Sequence, residues 1–287
     1  MHGALAAIEA GVPTVWQPHG MLLPDARSKS SLKKGLFMKL GLARALRGAA
    51  AIVGATEHET AESQLPVGSS DVKRFTVPLP VRSPERHTLD ALRAAGRARY
   101  FQSHPDARQV VFVGRLHPVK RVELTLDALA QAPNMYLTIF GPGDDQYVKT
   151  LREHATRAHV SDRASFAGWL DPADRWEVLA AADALVINSV HENFGYVVAE
   201  AAACMTPVAM TDNLSLADEA RKHGFAKVAS ADPHDLGCAM FAAADPAART
   251  ALGDAGRRWV ESELSLTAVG LQLAAVYRAI APQSARV

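Results

Sequence analysis

Cysteine is scarce in this 287-residue chain: Cys204 and Cys238 stand far apart, with no paired spacing. That excludes a disulfide framework and a cysteine metal cluster, and it fits a reducing, cytoplasmic setting. Charge of one sign is also lacking. The formal net charge is +1, which argues against a general nucleic-acid binder, so no nucleic acid is expected as a partner. No apolar run approaches the roughly 18 residues needed to span a bilayer. No charged region followed by an apolar stretch opens the chain, so no signal peptide is read.

Several chemical signatures are missing too. No Asp-x-Asp occurs anywhere. His58-Glu59 is not followed by a second histidine at zinc-protease spacing, and there is no Walker lysine loop. Gly141-Pro142-Gly143 has Gln146 where a dinucleotide fingerprint needs its third glycine. No metal site and no cofactor are therefore expected.

Apolar residues make up 48% of the chain, enough for a sizeable core in two domains of ordinary size. Short apolar runs alternate with helical patterns. Strands are expected at Val12–Gln17, Ala49–Gly54, Phe75–Leu79, Val110–Val113, Met135–Phe140, Ala164–Phe166, Ala184–Ile187, Pro207–Met210 and Ala226–Val228. Helices are expected between them, and at Pro233–Ala244, Ala247–Glu263 and Leu266–Ile280. Thr56, with Glu59 three residues on, opens a helix in capping style. This alternation predicts an α/β fold with parallel sheets covered on both faces. Residues 81–107 are charged and mixed, with a helix expected near Thr88–Arg99, and 86–107 read as a linker between domains.

Residues 25–47 differ in character. Arg27, Lys29, Lys33, Lys34, Lys39, Arg44 and Arg47 stand against Asp25 alone, with Leu32, Leu36, Phe37, Leu40 and Ala43 at helical spacing. Two readings stay open. One is a peripheral helix on an anionic membrane surface. The other is a solvated basic face over a core-facing stripe.

The chain is organised around residues 184–204. A buried strand ends at Ile187, a polar turn follows, and a helix begins at Gly195. A helix start offers unpaired N–H groups and the positive end of a dipole, a ready phosphate site. Glu192 and Glu200 bracket it, with seven residues between them. Like charge keeps them off the phosphate itself, but both suit sugar or ribose hydroxyls. Arg115, Lys120, the Gly141/Gly143 turn and Gly168-Trp169-Leu170 follow other strands. The C-terminal ends of parallel strands are where α/β folds place ligands, and Arg and Lys supply charge for a diphosphate.

A glutamate, seven residues and a second glutamate, with Asn193-Phe194-Gly195 after the first, resembles the donor signature of retaining GT-B glycosyltransferases of family 4. The resemblance implies two facing Rossmann-like domains, the N-terminal one incomplete. It implies metal-independent transfer of a sugar from a nucleotide sugar to a glycan or lipid-linked acceptor. Gly114, Arg115 and Lys120 would hold the donor's phosphates, and Asn193, Phe194 and Gly195 would present backbone to phosphate and sugar. Glu192 would take sugar hydroxyls, Glu200 the ribose, and the backbone around Trp169 and Leu170 the base. His19, in Pro-His-Gly-Met-Leu, would face the sugar-phosphate; catalytic roles are expected for His19 and Glu192.

The domains implied are 1–85 on the acceptor side, 108–265 on the donor side, and a final helix 266–287 packing back on the first. The first half of the acceptor domain, with its glycine-rich loop, is expected to lie outside this sequence. The chain alone is then expected to bind donor but transfer slowly or not at all. A non-catalytic or partner-dependent donor-binding half-enzyme and another GT-B activity, such as a sugar-nucleotide epimerase, remain alternatives.

Overall fold

The structure is a computed structural model and describes residues 2–24 and 41–281. Most of the basic stretch, Arg27 to Lys39, lies outside the described residues. The chain divides into two compact units, residues 1–80 with 266–287, and residues 81–265.

The described part of the first unit carries a parallel sheet of β1 (Val15–Trp16), β2 (Ala51–Gly54) and β3 (Lys73–Thr76), in that spatial order. Its helices are α1 (His2–Glu9), α2 (Ala43–Arg47) and α3 (Glu57–Glu62). β2 is the central strand and is buried throughout, as its unbroken run Ala51-Ile52-Val53-Gly54 requires. β3 lies earlier than the expected Phe75–Leu79. Pro78 and Pro80 have no N–H for a ladder, whereas Lys73 and Arg74 extend exposed and pair with Ala51 and Ile52. Thr56 caps α3 by accepting from the Glu59 amide at 3.1 Å.

The second unit opens with α4 (Leu89–Tyr100). The helix expected near Thr88–Arg99 is thus present, and long-range ion pairs fasten it. Arg93 and Arg97 pair with Asp183 at 3.3 and 2.5 Å, and Arg99 and Tyr100 reach Asp174 at 2.8 and 2.7 Å. These partners sit more than seventy positions downstream, so local sequence carried no sign of them.

Six parallel strands follow: β4 (Arg108–Val113), β5 (Met135–Phe140), β6 (Ala164–Gly168), β7 (Ala184–Ile187), β8 (Val208–Thr211) and β9 (Ala226–Ala229). Their spatial order is β6-β5-β4-β7-β8-β9. The order reverses between β4 and β7, and this topological switch point is where such sheets open a crevice at their carboxyl ends.

The intervening helices are α5 (Val122–Gln131), α6 (Asp145–Arg157), α7 (Arg175–Ala181), α8 (Tyr196–Ala203), α9 (Ala217–His223), α10 (Pro233–Ala243) and α11 (Pro246–Trp259). Val110, Phe112, Leu137 and Ile139 pack with Leu126, Leu129, Leu236 and Met240 into one core on the α5 and α10 side. The expected single helix Ala247–Glu263 instead passes into a π-helical turn, Val260–Leu264. The last helix, α12 (Leu266–Ile280), belongs to the first unit. Its Val269 and Val276 share a buried cluster with Val53 and Val77, and the Lys73 ammonium donates to the Ala279 carbonyl at 3.0 Å.

Candidate functional site

The loops after β4 and β7 are fastened to each other across the switch point. The chain leaves β4 at Gly114, runs through a 3-10 turn at Pro118–Lys120, and enters α5 after Arg121. Arg121 is held in the left-handed region (φ 47°). Its Nε donates to the Asn188 carbonyl at 2.7 Å and its Nη2 to the Ser189 carbonyl at 3.2 Å. Asn188, fully buried, returns a bond from Nδ2 to the Arg121 carbonyl at 3.0 Å and accepts from the Thr125 hydroxyl at 3.1 Å. The Val190 amide donates to the Val119 carbonyl at 2.8 Å. Burial of so many polar groups is tolerable only because each finds a partner. Desolvation holds the Arg121 guanidinium below its ordinary pKa.

This lacing delivers Lys120 to Glu192. The ammonium donates directly to Glu192 Oε1, which also accepts from the Ser189 hydroxyl at 3.0 Å. The Glu192 carbonyl accepts from Ser215 Oγ at 2.6 Å. Both members of the pair are mostly buried, at 22% and 19% side-chain exposure, so the contact is far less screened than a surface ion pair.

Beyond Glu192 the chain turns through Asn193, Phe194 and Gly195 into α8. Phe194 is buried and meets Tyr196 edge-on, with ring centroids 5.4 Å apart. Asn193 Oδ1 is buried with no hydrogen-bond partner. Gly195 caps α8 at φ 76°, ψ 57°, and no side chain caps the helix there. A residue with a Cβ would be strained in that conformation. The Val198 amide donates to the Gly195 carbonyl at 2.9 Å, and with no side-chain cap the amides of Tyr196 and Val197 before it are left for a ligand or water.

Glu200 lies one helix side further on, at 13% side-chain exposure, and pairs with Arg175 Nη1 of α7 at 2.5 Å. Burial pushes its carboxyl above the usual range, and the Arg175 pair opposes that shift without cancelling it.

Gly114 and the glycine turn after β5 approach one another closely. The Gly114 amide donates to the Phe140 carbonyl at 3.0 Å, and Leu116 to Pro142 at 2.8 Å. A Cβ on Gly141 would stand 1.9 Å from the Gly114 carbonyl oxygen. Arg115, by contrast, is exposed on this loop. Gly168, whose carbonyl accepts from the Gly141 amide at 2.7 Å, leads to Trp169, 69% exposed, and half-buried Leu170.

His19 stands on the first unit, exposed, at the turn leaving β1 (φ 49°). Glu59, only 1% exposed, anchors this turn. One carboxylate oxygen accepts from the Gly20 amide, and the other accepts from the Ala55 amide at 2.7 Å.

The sequence thus pointed to Lys120, Glu192 and Glu200, but not to the groups that hold them. Arg121, Asn188, Ser189, Ser215 and Arg175 were missed. Arg121, adjoining Lys120, and Ser189, three residues before Glu192, left local signs; the others act through partners distant in sequence.

The family described as glycosyl transferases group 1 matches residues 99–258, more than half of the chain. The chain belongs to this family. Among similar proteins, the lipopolysaccharide core biosynthesis glycosyltransferase LpsE of Rhizobium meliloti is 39% identical over 106 residues, 37% of this chain and 30% of that protein. The glycogen synthase of Mycobacterium tuberculosis is 34% identical over 204 residues, 68% of this chain and 47% of that one. The chain therefore spans no more than about half the length of these curated relatives.

Among solved structures, Anabaena HepE in complex with UDP superposes with a TM-score of 0.77 at 20% identity, over 96% of this chain and 75% of that one. Sucrose-phosphate synthase from Thermosynechococcus elongatus gives 0.76 at 22% identity, over 96% and 71%. At that identity the likeness is one of fold: α/β, with the parallel sheets of the GT-B glycosyltransferases. Among the described residues, no helix is long and apolar enough to cross a membrane.

Proposed function

We propose that the second unit binds a nucleotide sugar at the β4/β7 switch point, and that the chain serves a retaining, metal-independent glycosyl transfer to a glycan or lipid-linked acceptor. The observation that carries this reading is the laced Lys120–Glu192 pair beside the uncapped start of α8. The helix start supplies positive potential for a diphosphate, and the Lys120 ammonium, with three N–H groups, can donate to it while still paired with Glu192. Glu192, already neutralised by Lys120, is an acceptor for sugar hydroxyls that does not repel the phosphates at full charge. The orphan Asn193 oxygen is a second acceptor, and pairing it would relieve a cost of about 1–3 kcal/mol. Glu200 meets the ribose hydroxyls, and the backbone at Trp169 and Leu170 meets the base. A complex of the structurally similar HepE contains UDP and glucose, which supports a uridine-type donor here.

In the transfer, the bond from the anomeric carbon to the diphosphate breaks and its electron pair leaves with the nucleoside diphosphate. The acceptor oxygen bonds to the same face of that carbon and its hydroxyl proton departs to a base. Dipole and basic side chains then stabilise the developing charge on the diphosphate, the role a divalent ion plays elsewhere. The test is calorimetry with a panel of nucleotides and nucleotide sugars in the presence of EDTA, followed by a transfer assay. Micromolar binding of a nucleotide sugar that survives EDTA is expected. A strict need for manganese or magnesium, or no binding by any of the panel, would overturn the reading.

A further inference from the structure

Away from this site, α9 ends on a Glu-x-x-x-His arrangement. Glu219 and His223 are four residues apart and so share one face of the helix. Glu263, on the π-helical turn after α11, comes to the same point. His223 Nε2 lies 3.2 Å from Glu219 Oε2 and 3.2 Å from Glu263 Oε1. Yet this nitrogen is buried and neither oxygen satisfies hydrogen-bond geometry with it. Two carboxylates and an imidazole arranged around a common point, rather than in line with one another, describe the face of a coordination polyhedron.

We propose that Glu219, His223 and Glu263 form a zinc site that staples α9 to the π-helical turn. Zinc bonds of about 2.0–2.2 Å to nitrogen and carboxylate oxygen in tetrahedral geometry place neighbouring ligand atoms about 3.3 Å apart, and both imidazole–carboxylate distances match. All three ligand atoms lie within 4.8 Å of one another, a spread that rotation of two glutamate side chains closes. Two carboxylates balance the charge of one divalent ion. The imidazole selects zinc over magnesium or calcium, which take oxygen. The ligand side chains are 21–37% exposed, so the ion can enter and water takes the fourth position. Lys222 Nζ, 3.4 Å from the same Glu219 oxygen on an exposed side chain, is a weak competitor that zinc displaces. Glu263 stands two residues before Ser265, the last residue of this unit, so the staple fixes the turn from which the chain departs.

The test uses the full chain in a Cys238→Ser background, because Cys238 and His234, 3.8 Å apart on α10, are the rival ligands. After EDTA and dialysis, calorimetric titration with zinc chloride should give one ion per chain at micromolar affinity or tighter, with no response to magnesium. His223→Ala should weaken zinc by at least about 100-fold, the upper end of what even outer-shell changes cost. Glu263→Gln, a surface change that preserves shape, should weaken it at least about 10-fold. Zinc should raise the melting temperature of the Cys238→Ser protein, and fail to do so in Glu263→Gln. No saturable zinc heat, or affinity unchanged by Glu263→Gln, would overturn the proposal whatever the folding of His223→Ala. Substitutions that lower the melting temperature equally in EDTA and in zinc would assign the cluster to an ion pair of the imidazolium instead.

Discussion

The two ends of the Glu192–Glu200 stretch place the same side chain in different surroundings. Glu192 sits in a loop, and three strand-end segments converge on it: Lys120, Ser189 and Ser215 each bond it. Glu200 sits within a helix, less exposed, with Arg175 from a neighbouring helix as its charged partner. At the loop end, position is set by a network of backbone and side-chain bonds. At the helix end, position is set by the helix, and the surroundings alter the proton affinity of the carboxyl. One spacing motif therefore holds a geometric element and an electrostatic one, and substitutions should separate them.

The largest effect is expected at the loop end. Lys120→Ala removes the charge-assisted contact to phosphate proposed above and strands a mostly buried Glu192 carboxylate. Loss of about 1.5–3 kcal/mol of donor binding is expected, a weakening of roughly 10- to 150-fold by calorimetry. An unchanged donor affinity would detach the β4 loop from the site.

Gly195→Ala probes the hinge between the two ends. Its left-handed backbone predicts a loss of about 1–2 kcal/mol, read from a denaturant midpoint with unchanged slope. A variant as stable as the parent would mean that the start of α8 relaxes freely.

At the helix end the expected effect is one of pH. Because burial raises the Glu200 pKa above 4.5, the folded chain binds that proton more tightly than the unfolded one. This group therefore favours the fold most below pH 4.5, and its contribution is lost as pH rises through the folded pKa. Donor affinity should run the other way, falling on acidification at a higher pH than an ordinary carboxylate would cause. Arg175→Ala removes the opposing charge and should move that acid limb higher still. A limb that stays in place would show that Arg175 does not act through Glu200.

The smallest effect is expected at Trp169→Ala. The base contact proposed there comes from backbone, and the indole is 69% exposed. Stability should change by no more than about 0.5 kcal/mol and donor affinity by less than about threefold. A larger loss would make the indole itself part of the base platform.

How much was legible in sequence differs between these regions. Met135–Phe140, Ala184–Ile187 and Leu266–Ile280 coincide with their expected bounds. Each is a run whose apolar period matches one element and is cut off by a glycine, a proline or a capping residue. The misses lie where local pattern competes with pairing. β3 begins on Lys73 and Arg74, which no periodicity favours, because β2 offers them a partner. The helix from Pro246 passes into a π-helical turn at Val260 with no breaker in the sequence. The helix expected near Thr88–Arg99 is present, but what it packs on was not legible, because the acids that bind α4, Asp174 and Asp183, come far later.

By itself the sequence determined the alternating α/β order, the helix start at Gly195, the spacing of Glu192 and Glu200, and the basic pair Arg115 and Lys120. These are local properties, since backbone preference, turn chemistry and apolar period act over a few residues. Tertiary structure decided what those residues meet. It placed β4 beside β7, and so brought Lys120 to a glutamate 72 positions away. It set Arg175 on Glu200, returned α12 to the first unit, and gathered Glu219, His223 and Glu263. Charge pairing across such distances depends on which strands neighbour which. Strand order is a property of the whole sheet, and no short stretch of chain encodes it.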